Sequence, residues 1–162
     1  MDFLINNLLQ YISAAVTTLA FAIFFKAPKK SLMHCAIIGM CGWFSYILGR
    51  VMFDVVISSL LGALCVGVLS SYASKKLFMP ATIFIYTGII PLVPGYGMYQ
   101  TMNYLIIKNY SEAAIVGLNT ILQAGAIAMG ILVASIFSDS IARVKFDRKK
   151  DKPLFDGDLP IE

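Results

Sequence analysis

Residues 88–102 read GIIPLVPGYGMYQTM, and the chemistry this sequence offers is concentrated there. Pro91 and Pro94 each lack an amide hydrogen and crowd the carbonyl four residues back. With Gly95 and Gly97 behind them, a helix entering this stretch cannot run through it unbroken. Carbonyls around Thr87 and Ile90 are expected to lose their amide partners, as are the amides that open the next helical piece, near Tyr96 to Tyr99. In hydrocarbon such orphans cost several kcal/mol each, so a break of this kind persists only where it is buried in protein or lines a wet cavity. Amides at a half-helix N-terminus suit an anionic group, and unwound carbonyls suit a cation or an ammonium.

The neighbouring side chains extend that chemistry. Thr87, Tyr96, Tyr99, Gln100 and Asn103 surround the break, and a later segment carries Asn119 and Gln123, four apart on one helix face. Uncharged polar groups beside free backbone groups fit a small zwitterion or carboxylate. Together with Pro91, Pro94, Gly95 and Gly97 they make the candidate solute path. The plainer alternative is a proline kink whose polar residues only tie helices together. Arg50 and Asp54 are four apart and form a candidate ion pair or proton site. The single histidine, His34, has no Cys or carboxylate at metal-ligand spacing, so no metal and no cofactor is expected. Cys35, Cys41 and Cys65 are odd in number and fall within apolar segments, which reads as buried small residues rather than disulfides.

The elements that must hold these residues are membrane helices. The chain of 162 residues is 59% hydrophobic and 14% charged, and its charges cluster between long uncharged stretches. Five apolar segments are each long enough for a 30 Å hydrocarbon core: residues 8–25, 32–49, 52–71, 81–107 and 113–137. The fourth would be about 40 Å as one straight helix, too long unless tilted, broken or re-entrant. The expected fold is an all-α integral membrane protein over residues 1–142, with five transmembrane helices, the fourth broken by P-x-x-P-G. The start, MDFLINNLLQ, is acidic and lacks the basic region of a signal peptide, so the first segment is expected to be a retained span.

Lysine and arginine set the orientation. Lys26, Lys29 and Lys30 follow segment one, Lys75 and Lys76 follow segment three, and six more lie beyond residue 142. Five crossings put all of these on one side and leave only Arg50 and Lys108 on the other. By the positive-inside rule the C-terminus is cytoplasmic and the N-terminus outside. Residues 143–162 are expected to be a basic, disordered cytoplasmic tail.

Small residues recur at helical spacing in segments two, three and five: Gly39, Gly42 and Gly49, then Ser58, Ser59, Gly62 and Gly67, then Gly117, Gly125 and Gly130. In lipid such faces mark close helix contacts, with the same chain or with a partner. No nucleotide-binding loop, no nucleophile beside a base and no paired carboxylates are present, so an enzyme is not expected. The GYG of residues 95–97 also lacks the filter context of a potassium channel, because Pro94 precedes it.

The pattern I-P-x-x-P-G-x-x-x-Y-x-x-M, carried by Ile90, Pro91, Pro94, Gly95, Tyr99 and Met102, resembles the threonine/serine exporter family. With the five-segment layout, the chain is most similar to its small split-type subunit, equivalent to the membrane-only C-terminal half of fused exporters. The resemblance implies one subunit of a two-component secondary exporter in the bacterial inner membrane. It also implies threonine and serine as cargo, or succinate-like dicarboxylates as in some split members. The implied partners are a larger membrane subunit, a small solute and the bilayer, with a homo-oligomer as a further arrangement and no nucleic acid. The family's cytoplasmic domain is not in this chain, which implies that transport requires the partner. The competing function is a non-transporting scaffold subunit of such a complex.

Overall fold

The computed structural model describes the backbone of residues 2–150 and the side chains of residues 8–137. Within them every regular element is helical: α1 (Asp2–Phe24), α2 (Lys29–Met52), α3 (Val55–Leu77), α4 (Ala81–Ile89), α5 (Gly95–Ile106) and α6 (Tyr110–Lys150). A single 3₁₀ turn, Ile90–Leu92, joins α4 to α5. Lys26, Phe78 and Lys108 close α1, α3 and α5 with left-handed backbones at φ of 55°, 53° and 62°. Such a turn reverses the chain after a helix and satisfies late carbonyls, as the Phe78 amide does for Ser74.

Among the described residues three helices are long and apolar enough to cross a membrane: Lys29–Met52, Val55–Leu77 and Tyr110–Phe137. The pair Ala81–Leu92 and Gly95–Ile106 passes the same test together, bent by 51°, and Leu8–Phe24 is a shorter apolar helix. The described chain is therefore all-helical, with three membrane-length helices, or four with the bent pair taken as one. Several boundaries differ from expectation, two of them with consequences for the layout. Helices α2 and α3 are parted only by Phe53 and Asp54, so the third segment starts at Val55 and runs on to Leu77. Helix α6 continues to Lys150, because no Gly or Pro interrupts residues 138–150, so the first part of the expected disordered tail has helical backbone. Residues 151–162 lie outside the described residues.

Glycine contacts define how the helices pair. Gly49 of α2 faces Ser58 of α3, while Gly42 faces Gly62 and Val66, so these two helices are antiparallel. Tyr11 of α1 stacks on Phe44 of α2 with ring centroids 5.8 Å apart, and Gly39 meets Thr18, which is also antiparallel. Gly130 of α6 abuts Leu60 and Ala63 of α3, and Ala134 abuts Gly67, so α3 and α6 run parallel. Helices α5 and α6 are antiparallel, with Gly97 against Thr120 and Thr101 against Gly117.

The core contains Ile38, Val66, Phe84, Leu92 and Ile127, with Gly88 of α4 wedged between Ile38 and Val66. Buried hydroxyls keep this contact surface compatible with lipid by bonding within their own helix. Thr18 donates to Ala14 O (2.7 Å), Ser59 to Val55 O (2.7 Å) and Ser71 to Gly67 O (2.9 Å). Such bonds satisfy each hydroxyl hydrogen within its own helix, whereas the buried Ser70 Oγ has no partner among the described residues.

Candidate functional site

The two prolines break the helix in distinct ways. Pro91 sits in the 3₁₀ turn, where its missing amide ends the α-helical ladder at Ile89. Pro94 is the N-cap of α5 and offers no side-chain cap, but its carbonyl accepts the Met98 amide at 3.2 Å. The structure corrects one expectation: the Ile90 carbonyl is not an orphan, since it accepts the Val93 amide at 3.3 Å through the tighter 3₁₀ turn. The Gly95 amide likewise finds Val93 O at 2.8 Å. Leu92, 2% exposed, anchors the turn by filling the space over Gly42 and Gly62.

Beside this anchored break lies a cleft of about 780 Å³. Its wall from the break is Pro91 to Gly97, and α6 contributes Asn119, Thr120 and Gln123. Helix α2 contributes Trp43 and Tyr46, and the start of α3 contributes Asp54 to Ile57. Two helix N-termini thus meet one cavity, that of α5 at Gly95 and that of α3 at Val55. The first amides of a helix have no partner within it, and neither N-cap residue, Pro94 or Asp54, supplies a side-chain bond to them. Both dipoles present their positive ends to a cavity with one charged side chain on its wall, Asp54.

The sequence-derived candidates divide accordingly. Pro91, Pro94, Gly95, Tyr96, Gly97, Asn119, Gln123 and Asp54 line the cleft. Thr87, Tyr99, Gln100, Asn103 and Arg50 are not on its wall. Thr87 is completely buried in α4 and donates to Ile83 O at 2.9 Å and Phe84 O at 3.2 Å. Gln100 Nε2 donates to the Tyr96 hydroxyl at 2.7 Å, so it supports a lining residue from one turn away. Tyr99 and Asn103 are exposed on the outer face of α5. The helical Arg50–Asp54 pairing does not form, because the chain leaves α2 at Met52 and restarts at Val55, placing the two residues on different elements.

Trp43 and Tyr46 are lining residues that motif reading passed over. Their signal is an aromatic pair at i, i+3 on the same helix as Gly42 and Gly49. A second, apolar groove of about 430 Å³ runs between α5 and α6, lined by Met98, Met102, Leu105 and Ile121 among others. The cysteines Cys35, Cys41 and Cys65 are free thiols.

A bundle of membrane-length helices around a broken helix marks the chain as a polytopic membrane protein. A family model described as threonine/serine exporter, ThrE, matches residues 10–137. The chain belongs to that family. It is also similar to an uncharacterized protein of Haemophilus influenzae, 27% identical over 101 residues, which is 62% of this chain and 34% of that protein. The matched region is thus about a third of that relative's length. No solved structure matches the chain.

Proposed function

We propose that this chain is the membrane subunit of a two-component secondary exporter of threonine and serine, or of small dicarboxylates, in the bacterial inner membrane. The observation that carries the reading is the meeting of two helix N-termini without side-chain caps at one cleft lined by Asn119, Gln123 and Asp54, the Gly95 amide of α5 being already bonded to Val93 O. Such amides would take a carboxylate, and the Asp54 carboxylate would take an ammonium. Five crossings fit the helix register. Parallel α3 and α6 need an odd number of crossings between them, which α4 and α5 supply as one bent span. With α1 antiparallel to α2, the basic ends then share the cytoplasmic side.

A scaffold role is the second reading, favoured by the exposure of α5. That helix buries none of its residues and turns Tyr99 and Asn103 outward, as a face awaiting a partner helix would.

Export of preloaded threonine, serine and succinate from cells separates the two. The strains carry this chain, a larger partner subunit, both, or both with Gly95→Leu or Pro94→Ala. Gly95 lines the cleft and a Cβ there meets nothing within 4 Å, so leucine fills the path without distorting the helix. Flux that needs both chains and is lost in Gly95→Leu at normal protein level supports the exporter. Co-purifying chains that move no solute support the scaffold.

A further inference from the structure

The indole Nε1 of Trp43 is buried and has no hydrogen-bond partner among the described residues. Trp43 is the only tryptophan of the chain and lies within α2 on the wall of the cleft. It stands about 14 Å along the helix from Met52 at 1.5 Å per residue, so it is no interfacial anchor at a helix end. An unpaired buried N–H costs roughly 1–3 kcal/mol, which phenylalanine would avoid while still filling most of the same space. Tyr46, one turn onward, packs its ring on the indole with centroids 5.1 Å apart and planes at 37°. Both rings line the same cavity, opposite Asn119 and Gln123 of α6.

We propose that the Trp43 indole N–H is a hydrogen-bond donor to a carboxylate or hydroxyl oxygen of the transported solute. Indole is a donor only, so its partner must be an acceptor, and an ammonium cannot satisfy it. Trp43 lines the cleft, so an acceptor held there lies on the indole's side of α2. The inference rests on the cleft being the solute path.

The test uses the full-length chain, with its partner subunit where export requires one. Tryptophan emission is followed in purified wild type and Trp43→Phe titrated with threonine, alanine, succinate and putrescine, and the Trp43 contribution is taken as the difference between them. Export kinetics of wild type and Trp43→Phe are measured alongside. The expected result is a saturable change in emission with the exported solute and none with putrescine, a diamine without an acceptor oxygen. Trp43→Phe should raise KM about tenfold, as expected for one lost hydrogen bond, with kcat and protein level little changed. Alanine separates the carboxylate from the hydroxyl, and succinate separates the carboxylate from the zwitterion. An unchanged KM in Trp43→Phe, or tryptophan emission blind to a solute that wild type exports, overturns the assignment and leaves the exporter reading standing. A wild-type complex that exports none of these solutes overturns both.

Discussion

Asp54 is the charged side chain on a cleft wall otherwise built of apolar and uncharged polar groups. At an effective dielectric near 20, a charge about 4 Å away interacts with it by roughly 4 kcal/mol. The sign matters: a solute ammonium gains from Asp54, whereas a dianion is repelled by it. Asp54→Asn should therefore raise KM for threonine at least tenfold while leaving succinate transport unchanged or improved, read in the same preloaded-cell assay. Equal loss for both solutes at normal protein level would mean that Asp54 serves coupling or folding rather than cargo. At this scale the sequence revealed much, but not all. The break residues and the Asn119/Gln123 face were legible because backbone chemistry and helical spacing are local. Thr87 lies off the cleft wall, buried in α4 with its hydroxyl bonded to carbonyls of its own helix, a placement that spacing does not reveal. Trp43 was missed because its place in the site depends on α2 meeting a segment some fifty residues on, which spacing alone does not encode.

Helices here are held by small residues, and the structure ranks them in a way that their sequence pattern does not. Gly125 and Gly130 both belong to the small-residue pattern of α6. A Cβ at Gly125 would meet nothing within 4 Å, whereas one at Gly130 would stand 2.8 Å from both the Leu60 carbonyl oxygen and the Ala63 Cβ of α3. The oxygen belongs to backbone and cannot swing away. Gly130→Ala should thus push α3 and α6 apart and destabilise the protein by about 1–3 kcal/mol. Gly125→Ala should be neutral or slightly stabilising, since alanine is the better helix former by up to about 1 kcal/mol. Unfolding of the two variants in mixed micelles by SDS titration gives both numbers, and equal midpoints would refute the close α3–α6 approach. The existence of most helices was readable from apolar length. The tight turn at Phe53 and Asp54 was not, because no Gly or Pro marks it.

For the whole molecule the decisive question is whether α4 and α5 together cross the membrane or dip in and return. Their 51° bend is far from the reversal that a re-entrant hairpin needs. The register gives an independent argument from parity. Gly130 and Ala134 of α6 pair in order with Ala63 and Gly67 of α3, so these helices point the same way. A returning hairpin between them would leave α6 pointing oppositely. It would also set the α5–α6 turn, with Lys108, on the same side as Lys75 and Lys76. One bent crossing instead places Lys108 across the membrane from those lysines, on the same side as Arg50. Cysteine labelling decides between them. Cys35, Cys41 and Cys65 are free thiols and can be replaced by alanine as a background. In intact cells, Lys108→Cys should react with a membrane-impermeant maleimide, whereas Lys76→Cys should react only after the membrane is opened. If both positions are shielded until lysis, the hairpin is re-entrant, and α6 must run against α3 rather than along it.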